Sequence, residues 1–428
     1  MYNFLGMRYL YTIIFYLLLP FILLRLWAKN RKNPAALKFW HERLAIRLRP
    51  VPQHGVWLHA VSVGESIAAI PLIKGLQQRY PNIPVIVTNE TIGGANCIHA
   101  GLGSRVTALY FPYDLPLVLK RFFKALKPRL LILMETELWP NLLAAARQNK
   151  VPVVLANARL SARSAKRYSY ILPVTQAMLR GVSVVIAATQ ADADRFIELG
   201  LPPERIQVTG SIKFDLELPL QLNEHAKALR ESWGNNRLVW IAASTHEGEE
   251  EQILEAFSQI RKKLTNVLLV SVPRHIDRAD RLKSFYQSRG YQVIKRSENK
   301  ACSDGTDIFV GDTLGELLLF YAAADLAFVG GSLIKKGGQN PLEPAAVGLA
   351  LLTGPYTFNF ALITEQLKQR GVEIQVNNAK ELEEQVTALL SDPQKRKQMG
   401  NAAKKFVEEN KGSLNKHLKL IENLIHEN

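Results

Sequence analysis

The sequence predicts an α/β protein of two Rossmann-like halves with an apolar helix in front of them, and three observations carry that prediction. Short, continuously apolar runs alternate with helix-length segments, which is the pattern of parallel sheets covered on both faces. The chain has 428 residues, too many for one ordinary core, so two domains of similar size are expected. Sixteen uncharged residues between Arg8 and Arg25 stand apart from both halves. A hydrophobic content of 47% with 21% charged residues fits a globular chain and excludes a disordered one.

The uncharged run, Y-L-Y-T-I-I-F-Y-L-L-L-P-F-I-L-L, is close to the length that spans a bilayer, about 17 to 25 residues. Snorkelling by Arg8 and Arg25 extends it, and Tyr9, Tyr11 and Trp27 suit the interfaces. No small-x-small cleavage site follows, and the apolar residues cover every face, which favours a membrane anchor over a signal peptide or an in-plane helix. After it come Arg25, Lys29, Arg31, Lys32, Lys38, Arg43, Arg47 and Arg49 against the single acid Glu42. This basic collar puts the body of the protein on the cytoplasmic side of the membrane, held against anionic lipids. The expected organisation is therefore an anchor and collar over 1–36, one domain over 37–218 and a second over 219–428. The net charge of +16 implies anionic partners, yet no basic-aromatic motif points to nucleic acid. Cys97 and Cys302 are far apart and near no other metal-type ligand, which fits a reducing compartment.

In the first half the strand signals are V-W-L-H-A-V, P-V-I-V-T-N, V-T-A-L-Y-F, L-L-I-L-M-E, P-V-V-L-A-N, V-S-V-V-I-A-A and I-Q-V-T-G. No G-x-G-x-x-G follows the first strand, so a dinucleotide dehydrogenase is disfavoured. Polar residues gather instead where strands end: Glu65, then Thr88 to Glu90, Glu135 with Glu137, and Asn157 with Arg159. Ligands of open α/β sheets bind beyond the carboxyl ends of the strands. Glu65 is placed there either as a general base or as a first-turn acid favoured by the helix dipole. Trp139-Pro140 starts a helix, with Pro in its first turn. Arg163, Lys166 and Arg167 form either a solvated helix face or a phosphate or membrane contact. Asp192-Ala-Asp194 reads as first-turn acids, and His246-Glu247-Gly-Glu249 lacks the second histidine of a zinc motif, so no metal site is expected.

G-S-I-K-F-D, with Lys213, ends the first half and leads into a linker. Strand signals resume at L-V-W-I-A-A-S, V-L-L-V-S-V, Q-V-I-K-R, D-I-F-V-G-D-T, L-A-F-V-G-G-S and L-A-L-L-T-G. Strand-end polar residues recur here, among them His246, Arg274-His275 and Gly330-Gly331-Ser332. In G-G-Q-N-P-L-E-P, Gly337 to Pro344, a glycine pair before a proline-started helix predicts free amides for a phosphate, with Glu343 placed to accept from ribose hydroxyls. Residues 393–428 form terminal amphipathic helices.

H-A-V-S-V-G-E, M-E-T-E-L-W-P-N, G-S-I-K-F-D, P-R-H, G-D-T-L-G-E-L and F-V-G-G-S-L-I-K-K-G-G-Q-N-P-L-E-P, in this order, resemble the Kdo (3-deoxy-D-manno-octulosonic acid) transferases of lipopolysaccharide synthesis. The resemblance runs from about residue 37 to the end. It implies a GT-B glycosyltransferase, two Rossmann-like domains facing a crevice, that moves Kdo from CMP-Kdo to a tetra-acylated lipid A precursor with inversion and without metal or cofactor. It implies that Glu65 is the catalytic base, with Glu135 and Lys213 stabilising the transition state. Arg274 and His275, Leu314, Gly315 and Glu316, and Asn340, Pro341, Leu342 and Glu343 match the CMP-binding segments. The chain departs from the family pattern at Gln339, where His is common, and at Leu314, where Met is common. The alternatives are a transferase of the same architecture using a UDP-sugar, or a membrane-tethered nucleotide-binding protein without activity.

Overall fold

The structure is a computed structural model that describes residues 2–30, 39–46 and 48–426. In the first sheet, β1 (Val56–His59), β2 (Val85–Asn89), β3 (Thr107–Tyr110), β4 (Leu130–Met134), β5 (Val153–Ala158), β6 (Val184–Ala187) and β7 (Ile206–Val208) lie in the order β3-β2-β1-β4-β5-β6-β7. Every pairing is parallel. The second sheet contains β8 (Leu238–Thr245), β9 (Val267–Pro273), β10 (Val293–Lys295), β11 (Ile308–Val310), β12 (Leu326–Val329), β13 (Leu351–Thr353) and β14 (Glu373–Gln375), again all parallel, in the order β10-β11-β9-β8-β12-β13-β14. The central strands are apolar without alternation because helices cover both their faces: all of β1 and β4 is buried.

Strand order reverses between β1 and β4 in the first sheet and between β8 and β12 in the second. At such a reversal the loops leaving the two strands diverge to opposite faces and open a crevice at the carboxyl ends. These two points position everything that follows.

The chain forms two compact units, Met1–Asp215 with Lys411–Asn428, and Leu216–Asn410. The expected division carried the second domain to residue 428, whereas residues 411–428 belong to the first unit. The reason is local. The Asp215 carboxylate accepts from the amides of Gly412 at 2.6 Å and Leu414 at 2.7 Å, which caps helix Ser413–His426. Leu418, Ile421 and Ile425 of that helix then join the core under helix Val63–Arg79. Gly75 permits the approach, since a Cβ there would lie 2.6 Å from Leu418 Cδ1.

Helix Tyr2–Asn30 holds one stretch, Gly6–Arg25, long and apolar enough to cross a membrane, and only 6% of its most apolar window is buried. Phe15, Leu19, Ile22 and Leu23, spaced at three and four residues, pack on the first unit. Thr12 Oγ1, one turn before Phe15, accepts from Asn141 Nδ2 at 3.0 Å. Leu10, Ile13, Leu17, Phe21 and Leu24 face outward. Of the expected basic collar, Arg31, Lys32, Lys38 and Arg47 lie outside the described residues. Arg43 turns inward instead, 4.9 Å over the Tyr113 ring and 3.9 Å from Glu90.

Candidate active site

The end of β1 and the start of helix Val63–Arg79 set the position of Glu65. Ser62 caps the helix, accepting from the Glu65 amide at 3.3 Å and donating its hydroxyl to Glu65 Oε1 at 2.9 Å. The Val61 amide donates to Oε2 at 2.8 Å. Ser62-x-x-Glu65 is thus a capping-box pattern, and the first-turn reading of Glu65 holds alongside its place at the strand reversal. The carboxylate is buried. Burial raises its proton affinity, the Val61 amide opposes this, the negative charge of Glu135 adds to it, and Ser62 lowers it again; the net direction is up.

Glu135 directly follows β4 in the left-handed region, φ 55°, its amide donating to Ala156 O at 2.9 Å. Conformations of this kind are costly for a side chain bearing a Cβ and gather at functional sites. Lys213 Nζ donates to Glu135 Oε1 at 2.9 Å, within a largely buried ion pair. The turn carrying Lys213, Ile212–Phe214, is held by Asn157 Oδ1, which accepts the Ile212 amide at 3.1 Å. Asn157 is itself left-handed, φ 53°, and donates its own amide to His417 Nε2 at 3.0 Å. Accepting at Nε2 leaves the His417 proton on Nδ1, which donates to Ser413 O at 2.9 Å. Burial lowers the His417 pKa to about 4, so this relay is neutral at physiological pH.

Glu137, two residues past Glu135, completes an acidic group. Burial pushes its pKa up to about 8; Glu65 adds to this, the Trp139 indole N–H donating at 2.7 Å opposes it, and Glu90 and Glu135 raise it further. Carboxylates that interact this strongly share protons as a set. The doubled acid of M-E-T-E was the only sequence signal for Glu137, and none existed for His417, which meets Asn157 across 260 positions.

In the second unit the strand reversal between β8 and β12 is built differently. Glu249 is fully buried and accepts the amides of Gly331 at 2.6 Å, Ser332 at 2.9 Å, Leu333 at 2.9 Å and His246 at 3.0 Å. Burial raises its proton affinity and all four amides oppose this, though the net direction remains upward. The amides after β12 therefore already hold an anion supplied by the chain. Gly330 has no room for a side chain, since a Cβ would stand 2.8 Å from Ser244 O. The glycine pair expected to offer free amides is also engaged in part: Gly338 N donates to Gly331 O at 2.8 Å and Gln339 N to Gly330 O at 3.0 Å. Those two amides form no phosphate cradle, which corrects the expectation from spacing.

Positive side chains surround His246 nearby. Burial lowers the His246 pKa to about 4, and His275, Lys336, Arg274 and Arg278 around it act in the same direction. The His246 and His275 rings stand edge to face, 5.9 Å apart. Gln339 Nε2 donates to His246 Nε2 at 3.2 Å, which gives Gln339 a structural task. Arg274 and His275 are exposed, directly after β9. Glu343 has its proton affinity raised by burial, while Asn340 Nδ2, donating at 3.2 Å, and the charge of Arg274 oppose this. Asn340 Oδ1 accepts the Leu342 amide at 3.1 Å, so Asn340 to Glu343 form one braced turn through Pro341. Leu314 is 89% exposed and Gly315 has φ 81°, in the loop after β11, the strand beside β9. The Glu316 carboxylate is already engaged, by Arg296 at 2.9 Å and by the Thr313 hydroxyl. Burial acts to raise its pKa, but these partners hold it below the ordinary value. The structure thus gathers Glu65, Glu135 and Lys213 in one unit and Arg274, His275, Asn340 and Glu343 in the other, with Leu314 to Glu316 on a loop nearby. Among the described residues no three His, Cys, Asp or Glu side chains are grouped to hold a metal ion.

A family model for 3-deoxy-D-manno-octulosonic-acid transferase (kdotransferase) matches residues 38–216, and one for glycosyl transferases group 1 matches residues 223–406. The chain is 40% identical to the 3-deoxy-D-manno-octulosonic acid transferase of Haemophilus influenzae, over 98% of this chain and 99% of that one. It is 33% identical to the enzyme of the same name from Bordetella pertussis, over 97% and 99%. Among solved structures, MurG of Acinetobacter baumannii has the same GT-B-like fold, with a TM-score of 0.55 at 13% identity, over 87% of this chain and all of that one.

Proposed function

The chain belongs to the 3-deoxy-D-manno-octulosonic acid transferases and is a glycosyltransferase, and on that premise we propose that it moves Kdo from CMP-Kdo to a tetra-acylated lipid A precursor in lipopolysaccharide synthesis, with inversion and without a metal ion. The observation that carries the reading is the placement of Glu65: a buried carboxylate at a strand reversal, its proton affinity raised, beside the Glu135–Lys213 pair. Glu65 takes the proton from the acceptor hydroxyl as that oxygen attacks the anomeric carbon. A positioned base of this kind contributes about 10²- to 10⁴-fold.

As the sugar–phosphate bond breaks, positive charge develops on the sugar and negative charge on the departing CMP. Glu135 offsets the first, and Lys213 holds that carboxylate in place and moderates its charge. Arg274 and His275 offset the second, and Asn340 to Glu343 and Leu314 to Glu316 seat the nucleotide, the latter through backbone and Leu314 because the Glu316 carboxylate is already engaged. The apolar helix Tyr2–Asn30 attaches the enzyme to the inner membrane, with both units on the cytoplasmic side.

The test is to incubate the full chain with CMP-Kdo and lipid A precursor, with and without EDTA, and to weigh the products by mass spectrometry. Product in both tubes, of opposite anomeric configuration to the donor by NMR, is the expected result. Activity with UDP-sugars in place of CMP-Kdo, or loss of activity in EDTA, overturns it.

A further inference from the structure

We propose that the first unit carries a binding site for an anionic phospholipid, separate from the strand-end site. A cavity of about 1070 Å³ lies along helix Tyr2–Asn30, between it and helices Pro116–Leu126 and Pro140–Gln148. Arg8, Lys120, Lys124 and Lys127 line it, and no acidic residue does. Among the described residues Lys120, Lys124 and Lys127 form no ion pair, while Arg8 acts on the buried Asp114 carboxylate. Lys120 and Lys124, four apart, project from one helix face, and Lys127 caps the same helix. Three lysines without an acidic partner among the described residues, with Arg8 beside them, repel one another on one groove, and a phosphate relieves that repulsion.

Between them the walls are apolar, from Leu117, Phe123, Ala144, Ala145 and Val151. A free phosphate has no use for such walls, whereas the acyl chains of a phospholipid do. The volume is at the upper end for a ligand pocket, roughly 300 to 1,000 Å³. Next to the groove, Ile13, Leu17 and Phe21 continue the apolar surface outward. The acceptor is not the occupant. Lys127 and Val151 stand just before β4 and β5, at the amino ends of strands whose carboxyl ends carry Glu135 and Asn157, so this end of the groove lies at the opposite edge of the sheet from Glu65. The proposal rests on the membrane reading of the first helix, and its test separates the two.

The full chain is extracted from membranes in mild detergent, and the lipid retained per chain is measured by native mass spectrometry, for the natural protein and for Lys120→Gln/Lys124→Gln/Lys127→Gln. These exposed lysines brace nothing internal, so the variant folds and its transfer rate in micelles is unchanged. One phosphatidylglycerol retained by the natural protein, with affinity lowered about 100-fold in the variant, is the expected result. Equal retention by both proteins overturns the site, as does displacement of the lipid by inorganic phosphate or retention of the glycolipid acceptor in its place. Flotation with phosphatidylcholine vesicles, with and without phosphatidylglycerol, reads the membrane attachment itself. Floating in both proteins with no lipid retained by either overturns the site while leaving the anchor intact, and failure of the natural protein to float overturns the anchor and, with it, the site that rests on it.

Discussion

Glu65 and Glu249 occupy equivalent places, each a buried acid shortly after the first strand of its sheet, at the point where strand order reverses. What differs is the number of donors. Glu249 accepts four backbone amides, whereas Glu65 accepts from the Val61 amide and the Ser62 hydroxyl and faces other carboxylates. A buried carboxylate saturated with amides is a bracket for the backbone. Burial raises the proton affinity of both, but only at Glu65 does a neighbouring carboxylate, Glu135, add to it, which suits a base. The same contrast runs through the two surroundings, acids beside Glu65 and cations beside His246.

The comparison is broken most directly at Glu65. Glu65→Gln keeps the shape of the cap and removes the base, so kcat/KM should fall about 10²- to 10⁴-fold while CMP affinity, read by titration calorimetry, stays put. A variant that keeps most of its turnover ends the assignment. Glu249→Ala should do the reverse. It orphans four buried amides, each costing about 1–3 kcal/mol, so calorimetric melting should show a loss on the order of 4 kcal/mol in the second unit. Glu65→Gln should scarcely move the melt. Arg274→Ala, which removes an exposed cation without an internal ion pair among the described residues, should weaken CMP binding by about 10- to 100-fold, from a charged contact of about 1.5–3 kcal/mol. Unaltered CMP affinity would place the phosphate elsewhere.

A further test sharpens the contrast through pH. Glu137 has a folded pKa of about 8 against an ordinary 4.5, so between these values the folded state binds the extra proton. Its contribution to stability is fully present below about 4.5 and is lost as pH rises through about 8, with a slope of at most about 1.4 kcal/mol per pH unit. Denaturant titrations from pH 5 to 8.5 should show stability falling in the natural protein and a flatter profile in Glu137→Gln. Parallel profiles would mean that the acids beside Glu65 are better solvated than their burial indicates.

Much of this was legible before the structure. Central strands buried on both faces are runs of Val, Ile and Leu and stand out, and the more exposed β7 and β10 are still marked by Ile206, Val208, Val293 and Ile294, whereas β14, Glu-Ile-Gln at a sheet edge, offers one apolar residue. Residues that end strands were legible for the same reason, and Ser62-x-x-Glu65 is a local pattern. Long-range partners were not. Nothing in the spacing joins Asn157 to His417, or Glu249 to the loop after β12, because those bonds are chosen by how helices and loops meet in space. The Gly338 amide was illegible for that reason as well: whether an amide is free depends on which carbonyl folds over it, here that of Gly331.

The return of residues 411–428 to the first unit has a consequence for how the protein comes into being. A ribosome that has released residues 1–215 has already made all four acids and Lys213, but not the imidazole that pins Asn157 and, through it, the turn bearing that lysine. The whole second unit must be translated before the last helix arrives, so the lobe that starts first is finished last. Nascent or prematurely terminated chains therefore lack the support of the turn that brings Lys213 to Glu135.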